Sequence, residues 1–425
     1  MVTSAFHPAA ISSITSDSQK IPRVALVTDS FYEVNGVARV SREFVAYARE
    51  RDIPLLSIHS GVRKSRTQDG SVTTIELPRS PVRMALDGNL AFDFLISRYI
   101  DSISAAITEF GADLIHITGP GDFGMAAAYL SHKLHIPLFA SWHTNLHEYA
   151  GRRLATITQF LPPAARARLC DAASRQALYW LLKFHQIPRV IFAPNDDLVR
   201  LIRHRLPRET YLMPHGVDIN LFSPDRRTSR SGVFTLGYVG RLTPEKNVRL
   251  LAEIERKLLA AGCGRFRILV VGDGLDRTWL QANLKTAEFT GFLSGVDLAR
   301  AYADMDLLIF PSETETYGLV VIEAMASGVP VVVSNSGGPK YQVREGIDGF
   351  VAANADGYVA ATERLMNDPE ALVRMREAAR DGCNSRTWAH TFEELYRRYA
   401  LWLASPDHER YLNHQPAVFA ANGCL

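Results

Sequence analysis

Phe310-Pro-Ser-Glu-Thr-Glu315-Thr-Tyr-Gly318-Leu-Val-Val-Ile-Glu323-Ala-Met-Ala-Ser-Gly328-Val-Pro330 contains the turn of a parallel α/β fold. The apolar run Leu307–Phe310 suits a strand buried on both faces. A polar loop with glutamates follows, Gly318 opens an apolar helix, and Gly328-Val-Pro330 closes it before a further strand, Val331–Ser334. The first N–H groups of a helix are unpaired and its dipole is positive there, so the Gly318 end suits a phosphate. A glycine at that point lets a ligand approach the backbone closely. Glu315 precedes the helix and Glu323 lies about one turn into it. A carboxylate there can accept two hydrogen bonds from vicinal hydroxyls, as on a ribose or a sugar.

Working outward, the same alternation recurs. Upstream come a strand at Thr235–Val239, a helix at Val248–Ala261, a strand at Arg267–Val271 and a helix at Asp276–Thr286. A short strand at Phe289–Thr290 and a helix at Leu298–Ala303 lead back to the opening segment. An earlier series predicts strands at Arg23–Thr28, Leu55–His59, Thr73–Leu77, Asp113–Ile117, Pro137–Trp142 and Val190–Ala193. Helices are predicted at Ala38–Arg51, Phe92–Glu109, Phe123–Leu134 and Asp196–Arg205, with Leu154–Phe184 helical but broken at Pro162-Pro163. Strand–helix alternation is the mark of a doubly wound parallel sheet. The expected fold is α/β, with two Rossmann-like domains facing each other across a cleft, since ligands bind at the carboxyl ends of such sheets. The expected division is a disordered start (1–20), a first domain (21–205), a second domain (206–385), a helix returning to the first domain (386–404) and a loose tail (405–425).

Composition narrows the class. The 425 residues include 47% hydrophobic and 22% charged side chains, ordinary for a globular chain with two cores, and a net charge of +2 does not call for nucleic acid. Cys170, Cys263, Cys383 and Cys424 share no metal-ligand spacing and read as reduced thiols of a cytoplasmic protein. The first twenty residues lack the pattern of a signal peptide, and no apolar run is long enough to span a bilayer.

On spacing alone, Glu315 and Glu323 read equally well as a surface loop residue and a helix-dipole partner. The flanking residues decide otherwise. Ser-Glu-Thr-Glu315 through Glu323-Ala-Met-Ala-Ser-Gly-Val-Pro-Val-Val resembles the E-x7-E motif of family 4 of the retaining glycosyltransferases, which have the two-domain GT-B fold. Gly237-Tyr-Val-Gly-Arg241-Leu-Thr-Pro-Glu-Lys246-Asn, Leu269-Val-Val-Gly-Asp-Gly274 and the interdomain segment Pro214-His-Gly-Val-Asp218-Ile-Asn-Leu-Phe222 extend the likeness over about residues 22–400. Within the family, the chain is similar to the lipid-directed branch of sulfoquinovosyl-diacylglycerol synthase and the glycolipid mannosyltransferases.

The resemblance implies roles residue by residue. Arg241 and Lys246 would grip a leaving diphosphate in place of a divalent metal, so neither metal nor cofactor is expected. Glu315 would orient the sugar hydroxyls and Glu323 the ribose. Gly36, after Asn35, would meet the donor from a loop bordering the acceptor. Phe292 and Leu293 would read the base, and Tyr317, Gly318, Leu319 and Val320 would form the donor-binding helix start. His143 would contact the donor sugar, while His147 is left unassigned. The implied reaction is retaining transfer of a hexose from a UDP- or GDP-linked sugar to a hydroxyl, with a lipid among the candidate acceptors. No nucleophile stands out, which favours front-face attack. The basic, apolar stretch Arg152–Leu169 suits peripheral contact with the cytoplasmic membrane face. Alternatives are a non-catalytic sugar-nucleotide-binding protein and a GT-B-fold epimerase or phosphorylase. A nicotinamide enzyme is disfavoured, because Gly272-Asp-Gly274 lacks the third glycine.

Overall fold

The computed structural model describes residues 20–81, 83–87, 90–93, 95–144, 154, 158, 160–228 and 232–413. The strands, in chain order, are β1 (Val24–Thr28), β2 (Leu55–Gly61), β3 (Ser65–Asp69), β4 (Val72–Pro78), β5 (Arg83–Asp87), β6 (Leu90–Asp93), β7 (Leu114–Ile117), β8 (Leu138–Ser141), β9 (Val190–Ala193) and β10 (Glu209–Leu212), then β11 (Phe234–Val239), β12 (Phe266–Val271), β13 (Ala287–Gly291), β14 (Leu307–Phe310), β15 (Val331–Ser334) and β16 (Gly349–Ala352). Two sheets result, in the orders β10-β9-β8-β7-β1-β2-β4-β3 and β13-β12-β11-β14-β15-β16, with β5 and β6 forming a separate hairpin. Apart from β3, which is antiparallel to β4, the strands of both sheets pair in parallel.

The second sheet has the doubly wound order of a Rossmann domain, and the first repeats it with β3 and β10 added at its edges. Each sheet has one switch point, between β1 and β7 and between β11 and β14, where chain direction across the sheet reverses. Loops diverge there and open a crevice at the carboxyl ends of the strands. The central strands β1, β7, β8, β9, β14 and β15 are buried along their whole length, as apolar strands covered by helices on both faces must be.

The helices of the first unit are α1 (Gly36–Glu50), α2 (Ile100–Phe110), α3 (Asp122–Leu134), α4 (Pro163–Phe184) and α5 (Asp196–Arg205). The second has α6 (Leu250–Ala260), α7 (Arg277–Asn283), α8 (Gly295–Ala303), α9 (Leu319–Ala326), α10 (Ala355–Asn367) and α11 (Pro369–Cys383). Next, α12 (Trp388–Leu403) returns to the first sheet, and α13 (Pro406–Asn413) follows it. Trp388, Phe392, Leu395, Tyr396, Tyr399 and Trp402 of α12 enter the core built on Val24, Leu26, Phe44, Phe139 and Phe192. The Phe392 ring stacks on Phe44 with centroids 4.8 Å apart, and Tyr399 Oη lies 2.7 Å from Nδ1 of buried His116. Each such burial contributes roughly 1.5–3 kcal/mol, so six of them hold α12 on the opposite sheet.

Several expectations need correction. The predicted helix at Phe92–Glu109 starts late: Leu90–Asp93 is strand, and α2 begins only at Ile100, after a tight turn at Ile96–Tyr99. The Asp93 carboxylate is the cause, accepting from Ser80 N at 2.7 Å and Leu95 N at 2.9 Å and so turning the chain. A boundary at 205/206 falls too early, because Glu209–Leu212 pairs with β9 as an edge strand of the first sheet. The tail is not loose throughout: Pro406–Asn413 is helical, and Tyr411 packs on the core that receives α12. His147, Cys424, nearly all of the start expected to be disordered and most of 152–159 lie outside the described residues.

Candidate functional site

Most of the expected donor-site residues lie in loops or at helix starts that follow the switch-point strands of the two sheets. After β14 the chain runs from Pro311 to Gly318, which takes a left-handed conformation (φ 84°, ψ 75°) and starts α9. A Cβ there would lie 3.0 Å from Pro339 Cγ, so this sharp entry needs glycine on two counts. Gln342 donates to the carbonyls of Tyr317 and Gly318, holding the entry from below. Gly338 N donates to Glu315 O at 2.7 Å, and a Cβ on Gly338 would fall 1.8 Å from Thr316 O, so the 337–342 turn presses directly on the loop.

Three consecutive residues of this loop reach three other parts of the molecule. Glu315 forms an ion pair with Lys246, which ends the single turn Pro244–Lys246 after β11 and is largely buried. Thr316 Oγ1 donates to the carbonyl of His143 at 2.6 Å, and Thr316 O accepts from Asn195 Nδ2 at 2.5 Å, both across the cleft. Tyr317 Oη donates to the carbonyl of His215 at 2.9 Å. Leu319 packs against the cores of both units.

Arg241 follows β11, half-exposed, with Glu245 3.7 Å from its guanidinium. Arg241, Lys246, Glu315 and the N-terminus of α9 thus converge on one end of the second sheet. Phe292 and Leu293 follow β13 at the far edge of that sheet, with Phe292 63% exposed and Leu293 packed on the core. Val320 is partly buried beside Leu319. Glu323 accepts from Tyr302 Oη at 2.9 Å. Burial pushes its carboxyl up to about 7, against the opposing pull of the Tyr302 hydrogen bond and the Arg39 charge and with the help of Glu43. Arg39 and Glu43 pair at 2.8 Å on α1, so the first unit's leading helix sits within electrostatic reach of Glu323.

On that side, Gly36 is the first residue of α1, capped by Asn35, whose Oδ1 accepts from Ala38 N at 2.8 Å. A Cβ on Gly36 would meet nothing within 4 Å. His143 follows β8, is 8% exposed, and is held neutral because burial lowers its pKa to about 4. His215, Asn195, Thr316 and Gln342 belong to the same assembly and are not singled out by sequence reasoning. His215 and Thr316 left a trace, inside the quoted Pro214–Phe222 and Phe310–Pro330 motifs.

The family models match the same two units. Residues 34–221 match Glycosyltransferase Family 4, and residues 233–368 match Glycosyl transferases group 1. The chain is 30% identical to the GDP-mannose-dependent alpha-mannosyltransferase of Corynebacterium glutamicum, covering 89% of this chain and 88% of that protein. The chain belongs to glycosyltransferase family 4. The glycosyltransferase is also 28% identical to sulfoquinovosyl transferase SQD2 of Arabidopsis thaliana, over 89% of this chain and 74% of that one. Its fold matches sucrose-phosphate synthase from Thermosynechococcus elongatus with a TM-score of 0.68 at 18% identity, covering 90% and 99% of the two chains. This is the GT-B arrangement expected from the sequence. Among the described residues no group of three or more His, Cys, Asp and Glu side chains could hold a metal ion, and no helix is long and apolar enough to cross a membrane.

Proposed function

We propose that this glycosyltransferase moves a hexose, with retention, from a nucleotide-diphosphate sugar to a hydroxyl acceptor on a lipid or glycolipid. The observation that carries this reading is the convergence of Arg241, Lys246, Glu315 and the α9 N-terminus at one switch point. Two cations and a helix N-terminus stabilise a diphosphate both bound and departing, without requiring a divalent ion. Glu315 pairs with the Lys246 ammonium, and a diphosphate would compete for that cation, leaving the carboxylate for sugar hydroxyls.

Glu323 would hold the ribose, Phe292 and Leu293 the base, and Gly36 would close on the donor from the first unit. His143, neutral and buried beside the cleft, would hydrogen-bond the donor. The acceptor proton would pass to the leaving phosphate oxygen in a front-face displacement, since no side chain on these loops is assigned as nucleophile. GDP-mannose is the first donor to test, because relatives matched over 89% of this chain carry that name, and UDP-sugars are the second.

A lipid acceptor draws support from α4. Of its 22 residues only Leu181 is buried, and Leu169, Tyr179 and Trp180 are exposed among Arg168, Arg175 and Lys183. Aromatic side chains mixed with cations suit the headgroup region of an anionic bilayer. The test is a thermal-shift screen against GDP- and UDP-sugars, followed by transfer assays with and without EDTA and by flotation with anionic vesicles. Stabilisation by a nucleotide sugar, turnover surviving EDTA and flotation are expected. Binding without turnover on any acceptor would instead favour a non-catalytic sugar-nucleotide-binding protein.

A further inference from the structure

His143 has a neighbour that the reaction scheme above leaves unused. Its Nδ1 lies 3.2 Å from Nε2 of His215, with the ring planes inclined at 39°. His215 is clamped in place. The Tyr317 ring lies 4.7 Å from its own, the Trp388 ring stacks on it at 6.2 Å, and Tyr317 Oη holds its carbonyl. A Cβ on Gly216 would sit 2.3 Å from Trp388 N, so the backbone here is pressed against the start of α12. Both imidazoles are buried, and among the described residues His143 Nε2 and His215 Nδ1 have no partner.

Two neutral imidazoles can share this contact in only two ways. If His143 donates from Nδ1, its Nε2 is left a bare acceptor and His215 Nδ1 becomes a buried N–H with nothing to receive it. If His215 donates from Nε2, the unpaired N–H moves to His143 Nε2, and His215 keeps only an unused lone pair. An orphaned buried N–H costs more than an unused lone pair. Oxygens of water in the free cleft, and of a nucleotide sugar in the bound one, are acceptors that can relieve that cost at His143, which follows the cleft strand β8. Both outer nitrogens are closed to solvent in this arrangement, but His215 is also flanked by the Tyr317 and Trp388 rings, so an acceptor oxygen entering the cleft meets His143 first.

We propose that His215 is a positioning residue: it donates through Nε2 to His143 Nδ1, holds that ring as the Nε2–H tautomer, and so presents a fixed hydrogen-bond donor to an oxygen of the bound nucleotide sugar. This deepens the donor-cleft reading and rests on it. The bond made by one ring nitrogen sets the proton on the other, so His215 acts entirely through His143. The loop bearing Glu315 fixes both rings, through Thr316 to the His143 carbonyl and through Tyr317 to the His215 carbonyl. The tautomer is therefore set where the two units meet.

The test reads the imidazole ¹⁵N shifts of ligand-free protein labelled at histidine, with the His143 signals assigned by their loss in His143→Asn. A protonated Nε2 and an unprotonated, hydrogen-bonded Nδ1 are expected. In His215→Phe this preference should vanish, and kcat with GDP-mannose (or UDP-glucose, whichever the wild type turns over) should fall about 10- to 100-fold. KM should stay within about twofold, because the loss concerns orientation in the transition state. His215→Gln, whose amide N–H can still donate, should recover most of the kcat. A wild-type His143 protonated at Nδ1 overturns the proposal, and so does a His215→Phe enzyme with unchanged kcat. The shifts need no substrate: Nε2–H His143 in a wild type that turns over neither sugar would overturn the donor reading while establishing the tautomer.

Discussion

Thr316 Oγ1 donates a 2.6 Å hydrogen bond to the backbone carbonyl of His143, although the two residues sit in loops that follow strands of different sheets. Its neighbours Glu315 and Tyr317 engage Lys246 and His215, so one short loop ties together the Lys246 turn, the loop after β8 and the interdomain segment. Thr316→Val keeps the shape and leaves a buried carbonyl unpaired, at a cost of about 1–3 kcal/mol. Thermal unfolding should shift down, and kcat should drop more than donor affinity. An unchanged kcat would mean that this bond plays no part in assembling the site.

Arg241→Met and Lys246→Met should each weaken nucleoside diphosphate binding while hardly affecting the corresponding nucleoside, because only the former carries the charge these cations meet. Turnover should fall about 100-fold or more for either variant, on the scale of losing one oxyanion-stabilising donor. Isothermal titration with GDP and guanosine, or UDP and uridine, checks the split. Loss of wild-type turnover in EDTA would contradict the metal-independent reading.

The Glu323 carboxyl, raised by burial to about 7 from an ordinary 4.5, makes a pH prediction with a definite sign. Between those values the unfolded chain has released this proton and the folded protein still holds it. The glutamate's contribution to stability therefore decreases as pH rises through that window. A ribose diol donates to the charged form, so binding must expel the proton at slightly acid pH. Nucleotide affinity should climb between about pH 6 and 8, and calorimetry in buffers of differing ionisation enthalpy should detect proton release. Glu323→Gln should abolish both effects. A pH-independent affinity would remove Glu323 from the ribose.

Two glycines separate fold from function. Gly36→Ala adds a methyl that meets nothing within 4 Å in a helical position, so stability should hold or rise by about 0.5–1 kcal/mol while donor turnover falls. Gly318→Ala forces a side chain into a left-handed residue beside Pro339, which should cost about 1–2 kcal/mol as well as activity. Melting temperatures paired with kcat/KM distinguish the two, and full activity in Gly36→Ala would show that the donor does not approach that backbone.

Deleting 388–425 removes α12 and exposes the apolar face of the first sheet, so aggregation is expected rather than a soluble, active fragment. A milder probe is Tyr399→Phe, which strips the partner from buried His116 Nδ1 and should lower stability by about 1–3 kcal/mol with little change in KM. Unaltered unfolding would mean that aromatic packing alone anchors the helix.

Strand–helix periodicity, the glycines at turns and the Glu315–Glu323 spacing were all legible, because each depends on neighbours within a few positions. The reading failed where a long-range contact overrode local pattern. Asp93 turned an apparent helix into strand and turn, and Glu209–Leu212, which resembles a linker by itself, became a strand only through its hydrogen bonds to β9. His215, Asn195, Thr316 and Gln342 carry no local signature, since their partners lie 72, 121, 173 and 25 positions away.

The amino-acid order alone determined two Rossmann-like units, a phosphate-suited helix start and the set of charged residues beside it, for these follow from short-range propensity and apolar spacing. Which side chains face one another across the cleft was decided only by tertiary structure. Docking α12 on the first sheet and Leu319 between both cores buries apolar surface from distant segments, and that burial brings His143, His215 and Thr316 within hydrogen-bonding distance.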